Sequence, residues 1–309
     1  MTESINALDM LGTWNFTREL VGNDFLDRWA GINFEFSKLD AQEIEQAYLR
    51  VLHLFDGEVT KSGKHRISEW EKGWGENLTA FKKSGEIEDL RPKYFDKISV
   101  MRIHGEWIKP ITLNLELQML SELIDAATSS YFKDLRQIFE FGCGTGHNLL
   151  RLRDIFPNTD LIGLDWTQSS QTIVQEVSRH LGDNLLHALN FDFFNPNPDI
   201  HLGPNSGALT VAALEQIGES HSKFIDFLLA SQVEVVINIE PIGEVLSDDI
   251  LLESISKRYF KKRNYLSGYL DRLRHLEMQG RIEILHINRS FFGSFYIEGY
   301  TILIWKPLR

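Results

Sequence analysis

The chain has one cysteine, Cys143, among 309 residues, so no internal disulfide can form and a disulfide-stapled extracellular scaffold is excluded. No apolar run reaches the length of a membrane-crossing helix, and the opening Met1-Thr-Glu-Ser-Ile-Asn6 lacks the basic and apolar blocks of a signal peptide. A cytoplasmic location is the expectation. Basic residues are outnumbered, 32 Lys and Arg against 44 Asp and Glu, for a net charge of −12, the reverse of the usual nucleic-acid-binding footprint. Internal repeats and low-complexity tracts are also lacking. What remains is an ordinary globular composition, 43% hydrophobic and 25% charged, in a chain longer than one typical domain, which suggests a core domain with a substantial extension.

The most specific stretch is Gln137-Ile-Phe-Glu-Phe-Gly-Cys-Gly-Thr-Gly-His-Asn-Leu-Leu-Arg151. A short apolar run, three glycines at alternate positions and a helical run read as strand, tight loop and helix start. Glycine there admits positive φ and lets a ligand press against the backbone. A dinucleotide loop would read G-x-G-x-x-G, whereas Gly142, Gly144 and Gly146 read G-x-G-x-G, and the lysine of a P-loop is missing. The next apolar run, Asp160-Leu-Ile-Gly-Leu-Asp165, ends in an acid 19 residues after Gly146, where a strand-tip carboxylate can accept both hydroxyls of a ribose. Loop and acid together indicate an adenosine-type cofactor.

These residues, E-F-G-C-G-T-G followed by L-I-G-L-D, resemble the cofactor-binding half of the class I S-adenosylmethionine-dependent methyltransferases, over about residues 115–309. The resemblance implies an α/β fold: a Rossmann-like, seven-stranded, mostly parallel sheet with an antiparallel last strand. The remaining elements read accordingly. Ser169 to Leu181 is a helix, and strands are expected at 185–191, 208–213 and 232–239. One long helical stretch should run from about Asp248 to Gln279, followed by two closing strands, 281–287 and 300–305, joined through Phe291-Phe-Gly-Ser-Phe295. Residues 1–110 form an N-terminal extension or lid of short helical and irregular runs, holding five of the seven tryptophans, and 111–309 form the cofactor-binding domain.

By the same resemblance Glu140 faces the methionine amino end of S-adenosylmethionine, Gly142, Cys143, Gly144 and Gly146 pass beside the sugar and methionine, and Asp165 holds the ribose. Trp166 lies against the adenine, Asp192 accepts the adenine amino group, Phe193 covers the ring, and Ala212 lines the cofactor at the end of the fourth strand. Asp192 also reads as a turn cap, and Cys143 as a small packing residue. Glu215 follows the fourth strand as a catalytic or amine-binding acid. His221 is a candidate general base, with an unperturbed pKa of about 6.5, or an exposed histidine at a helix start. Glu240, a catalytic candidate, and Glu244, a substrate candidate, reach the carboxyl edge of the sheet, where open α/β sheets bind ligands. Trp74, like Trp70, reads equally as core or as a substrate platform. Tyr259, Arg263 and Tyr265 accompany a basic run, Lys257 to Arg263, that faces either solvent or a phosphate. A metal-dependent relative would carry an aspartate after the fourth strand and an Asp-Asn pair after the fifth; Glu215 and Glu240 stand there, so no metal is expected.

The phrases Ala-Leu-Glu-Gln-Ile-Gly, Ile-Glu-Pro and Lys-Arg-Asn-Tyr-Leu are similar to those of bacterial sugar and surface-polysaccharide O-methyltransferases. The resulting expectation is methyl transfer to a hydroxyl of a small or glycan-like substrate. N- or O-methylation of another secondary metabolite, and a noncatalytic cofactor-binding subunit, stand as alternatives. The partner expected is a small-molecule or glycan substrate, with nucleic acid and a membrane span not expected and a homo-oligomer left open.

Overall fold

A computed structural model describes residues 2–309. The strands among the described residues are β1 (Thr2–Asn6), β2 (Asn33–Lys38), β3 (Met101–Ile103), β4 (Glu106–Pro110), β5 (Gln137–Phe141), β6 (Asp160–Asp165), β7 (Leu186–Asn190), β8 (Ser206–Val211), β9 (Val235–Glu240), β10 (Ile282–Asn288), β11 (Phe292–Gly293) and β12 (Thr301–Pro307). The helices are α1 (Met10–Thr13), α2 (Arg18–Val21), α3 (Asn23–Trp29), α4 (Ala41–Asp56), α5 (Ile67–Ser84), α6 (Leu115–Tyr131), α7 (His147–Ile155), α8 (Gln168–Leu181), α9 (Ser222–Ala230), α10 (Leu251–Arg263) and α11 (Tyr269–Met278). None of the helices among the described residues is long and apolar enough to cross a membrane.

Seven strands form the central sheet in the order β10-β12-β9-β8-β5-β6-β7. Pairs β5–β6, β5–β8, β6–β7 and β8–β9 are parallel, and β12 runs antiparallel to both β9 and β10. This is the expected Rossmann-like sheet with a reversed last strand. The middle strands β5, β6, β8 and β9 are almost wholly buried, as continuous apolar runs covered by helices on both faces should be. Leu149, Leu152, Ile173 and Val177 cover one face from α7 and α8. Phe224, Leu228, Leu270 and Leu273 cover the other from α9 and α11, where the rings of Phe141 and Phe191 meet edge-on at 4.7 Å. Because β6 lies on one side of β5 and β8 on the other, the winding reverses at β5, and a crevice opens above its carboxyl end.

The first 110 residues carry more order than short helical and irregular runs. They supply four strands of a second, antiparallel sheet, β1-β2-β4-β3-β11, whose fifth strand comes from the far end of the chain. The segment between β10 and β12, read from sequence as a simple connection, thus leaves the central sheet and pairs with β3 through Phe292 and Gly293. Arg102 on β3 fastens the small sheet to α10 and to the loop after β11 from within. Its buried guanidinium donates to the carbonyls of Phe295 and Leu252 and, at 2.8 Å, to Ser256 Oγ. Trp14 Nε1 adds a bond to the Ser290 carbonyl at 3.0 Å.

The long helix expected over 248–279 is two helices. Asn264 turns left-handed at φ 55° and closes α10, with the Tyr265 N–H donating back to the Phe260 carbonyl at 2.9 Å. Gly268, at φ 72°, then opens α11. The apolar period runs through both helices although they pack on different clusters, α10 through Ile255 and Phe260 and α11 through Leu270 and Leu273, so periodicity alone hides the break.

One buried side chain joins three elements of the sheet. Asn238 Oδ1 accepts from Tyr269 Oη and Trp305 Nε1, both at 3.0 Å, while its Nδ2 donates to Thr210 Oγ1 at 2.9 Å. Asn238→Ala leaves two donors and an acceptor buried without partners, and is expected to lower the unfolding free energy by about 3 kcal/mol or more. Urea unfolding followed by far-UV circular dichroism measures this; a loss below about 1 kcal/mol would contradict the network.

Candidate functional site

The crevice at β5 is framed by the glycine turn. Gly142 N–H and Cys143 N–H both donate to the Leu164 carbonyl of β6, at 2.7 and 3.1 Å, and Gly146 N–H closes the loop on the Cys143 carbonyl at 2.8 Å. Gly142 has φ 76°, and a Cβ there would lie 2.5 Å from Ala213 Cβ. Gly144 has φ 53°, and a Cβ there would come within 2.9 Å of the Trp74 ring. A side chain at either position would therefore have to displace its neighbour. Cys143 Sγ lies 3.5 Å from Ser170 Oγ, and burial pushes its thiol up, which holds it protonated.

Asp165, at the tip of β6, accepts from Gly144 N–H through Oδ2 at 3.1 Å, and from Thr167 N–H and Oγ1 through Oδ1 at 2.9 and 2.8 Å. A carboxylate offers about four lone-pair sites, so Oδ2 keeps acceptor capacity toward the cavity that Asp165 lines with Trp166, Phe193 and Ala212. Ala212 holds a positive φ of 47°, a strained state for alanine that brings the backbone against the cavity. Glu140 is 1% exposed. Its Oε1 accepts from Asn148 Nδ2 at 2.8 Å, and Oε2 has no partner.

From the turn a cavity of about 410 Å³ runs under the N-terminal segment. Its floor is Glu140, Gly142–Thr145, His147 and Asn148, and its roof is Arg66, Trp70 and Trp74. The far walls carry Tyr94, Glu116, Glu215, Tyr265 and Tyr300. The smaller space beside Asp165 shares Trp70, Trp74, Gly142, Ala212 and Gln216 with it, so the two adjoin. The roof is fastened at both ends. Glu71 caps α8, its carboxylate accepting from Gln168 and Ser169 N–H at 2.8 and 2.9 Å. Beyond the other end, Ser62 N–H donates to the Arg263 carbonyl at 2.7 Å. The indoles of Trp70 and Trp74 stack at 5.4 Å above the loop.

Of the residues expected in the site, the structure brings Glu140, Gly142, Cys143, Gly144, Asp165, Trp166, Phe193, Ala212, Trp74, Glu215, Arg263 and Tyr265 to these two spaces. Others go elsewhere. The Asp192 carboxylate takes Lys64 Nζ at 2.7 Å and caps Phe194 N–H at 2.9 Å, the turn-cap alternative with an added ion pair. Glu240 sits beneath the β8 turn, accepting from Ala213 and Leu214 N–H at 3.0 and 3.1 Å. Glu244 accepts from Leu270 N–H at 3.3 Å, at the start of α11. His221 is buried rather than exposed, its Nε2 3.0 Å from the Ser267 carbonyl and its ring edge-on to Tyr269. Gly146 serves as the left-handed residue that starts α7, and Tyr259 stacks on Tyr296 outside the cavity wall. The free backbone N–H groups after β8 and before α11 claim the acids that sequence order had placed at the ligand edge.

Glu116, Tyr94, Tyr300, His147 and Asn148 were missed. Glu116 and Tyr300 are 184 positions apart yet bonded, Tyr300 Oη donating to Glu116 Oε1 at 2.8 Å. Burial pushes the Glu116 and Glu215 carboxyls up to about 7, and those of Glu140 and Glu240 up to about 8. Burial lowers His147 to about 4, with Arg151 and Arg91 adding to the effect. Among the described residues no three His, Cys, Asp or Glu side chains stand so as to hold a metal.

No protein-family profile matches the chain, and no curated protein matches it by sequence. Solved structures do match in fold. The cyclase SpnF superposes with a TM-score of 0.50 at 13% identity, over 81% of this chain and 98% of its own. The O-methyltransferase NcsB1 from neocarzinostatin biosynthesis, solved with S-adenosylmethionine, gives 0.45 at 15% identity over 78% and 70%. The magnesium protoporphyrin IX methyltransferase ChlM from Synechocystis PCC 6803, solved with S-adenosylhomocysteine, gives 0.46 at 14% identity over 61% and 84%. At such identities the likeness concerns the fold.

Two outcomes follow from this geometry. Gly144→Ala should push Trp74 off the loop, seen as a shift in tryptophan fluorescence with the fold retained; an unchanged spectrum would contradict the contact. The four raised carboxyls, with Glu122 raised by burial to about 9, bind protons in the fold that the unfolded chain, with glutamate at about 4.3, has released. Stability of the ligand-free protein should therefore fall as pH rises from about 5 to about 8. Glu116→Gln should flatten the fall, and denaturant unfolding across that range would expose a rise instead.

Proposed function

We propose that the protein is an S-adenosylmethionine-dependent methyltransferase that acts on a hydroxyl of a small, glycan-like acceptor. The observation that carries this reading is the continuity of the site: a loop where a side chain would displace its neighbours, a strand-tip carboxylate with spare acceptor capacity, and an orphaned buried Glu140 oxygen face adjoining spaces above one switch point. The fold is shared with a cyclase as well as with methyltransferases, so the reading rests on these residues.

Asp165 would hold the ribose, Trp166 and Phe193 the adenine, and Glu140 with Asn148 the amino-acid end. When bound, such a cofactor supplies an electrophilic methyl group, and the protein's part is alignment and exclusion of water. The roof of Arg66, Trp70 and Trp74 does the second, which makes the segment before β3 a lid in this reading. Glu215 is the one predicted catalytic residue on the cavity wall. Held near neutrality by burial, and hydrogen-bonded from Gln216 at 2.8 Å, it suits the role of proton acceptor from the substrate hydroxyl.

Carboxyls and phenols beside aromatic faces support a polyhydroxylated acceptor, whose hydroxyls and ring face find both partners in the chamber. A flat secondary metabolite is the second reading, favoured by the Trp70–Trp74 stack and Phe95. Titration calorimetry with S-adenosylmethionine and S-adenosylhomocysteine tests the cofactor assignment. Micromolar binding is expected, weakened at least about tenfold by Asp165→Ala through loss of a charge-assisted hydrogen bond and of the loop tie. Absence of binding by the folded wild type refutes it. Transfer of labelled methyl to sugars and nucleotide sugars, against phenolic and amine acceptors, separates the two acceptor readings.

A further inference from the structure

Three acids turn into one chamber, and among the described residues none of them forms a salt bridge. Glu116 comes from the first turn of α6, Glu140 from β5 and Glu215 from the turn after β8, and all three line the same cavity. Glu116 and Glu140 are 3% and 1% exposed, and each keeps an Oε2 with no partner. Their bonded partners are neutral: Tyr300 Oη, Asn148 Nδ2 and, for Glu215, Gln216 Nε2. The two arginines of the lining face Glu215 without a hydrogen bond to it, and their bonded partners lie elsewhere. Arg66 Nε is bound to Glu69 at 2.7 Å with its guanidinium over Trp70, and Arg263 donates to the Thr60 carbonyl and lies over Tyr265. Tyr94, 53% exposed, stands within reach of all three acids.

Resting on the function proposed above, we infer that Glu116, Glu140 and Glu215 make the chamber a cation site that favours the sulfonium cofactor over its neutral thioether product. Glu140 suffices for the ammonium group that both molecules carry. Glu116 and Glu215 are then two further acids, and the remaining difference between cofactor and product is the positive charge on sulfur. In a chamber of low dielectric an ionised carboxylate attracts that charge far more than water would allow. The product, having lost the charge, is held less tightly and leaves.

The site is tied to protonation. Tyr300 and Tyr94 face Glu116; Asp165, Cys143 and His147 surround Glu140, with Arg91 and Arg151 behind His147; Tyr265, Tyr259, Arg263, Arg66 and Glu240 face Glu215. Burial raises all three acids, so they are largely neutral near pH 6 and ionised above pH 8. A bound cation favours the ionised form and so releases protons.

The test measures Kd for S-adenosylmethionine and S-adenosylhomocysteine by calorimetry from about pH 6 to about pH 8.5, in buffers of different ionisation enthalpy. The α-amino group is common to both ligands and cancels in the ratio. Preference for the sulfonium form is expected to grow about tenfold across the range, with more protons released on its binding than on that of the product. Glu116→Gln should cut the growth at least about threefold, and Glu215→Gln provides a second, independent variant. A constant ratio in the wild type while both ligands bind, or slopes unchanged in both variants, overturns the inference and leaves the proposed function standing. Failure of either ligand to bind overturns both.

Discussion

Asp165 ties together what the site needs. Its carboxylate holds Gly144 N–H and the start of α8 in the same grip, so the loop, the β6 tip and the helix that supports the roof are set by one group. The grip is possible because Gly142 and Gly144 let the chain turn over the end of the neighbouring strand β6, with Leu164 accepting two backbone N–H groups from the turn. Glu71 extends the arrangement by capping the same helix from the other side, and its helix carries the tryptophans that close the cavity. Floor and roof thus share a support at the N-terminus of α8.

Burial governs the chemistry of the cavity as firmly as hydrogen bonding governs its shape. An acid kept from water resists ionisation unless charge or donors compensate. Glu240 meets two backbone N–H groups through Oε1 and Glu116 and Glu140 one neutral side-chain donor each; all three keep an Oε2 without a partner, but only Glu116 and Glu140 line the cavity. In the proposed function that difference separates a structural acid from acids facing a ligand, although all of them lie in the same protein interior.

The central sheet was legible because its signals are local. An apolar run ending in Gly142-Cys-Gly-Thr-Gly146 specifies strand, turn and helix within fifteen residues, and β6 to β9 repeat the alternation. The small sheet was not legible, since its strands are two to six residues long and one partner lies about 190 positions away. The break at Asn264 was masked by an apolar period that continues across two helices buried against different clusters. Chain order placed Glu240, Glu244 and His221 at the ligand edge, but it carries no information on which backbone donors compete for them. Glu116 offered no signal at all, because its partner Tyr300 is reached only through the fold.

The two-residue strand β11 has a consequence for biosynthesis. Until residue 293 has been made, β3 has an edge without its partner, although the other four strands of its sheet were synthesised within the first 110 residues. An unpaired edge is an invitation to wrong partners. The small sheet is therefore complete only once β5 to β10 of the central sheet have also been synthesised.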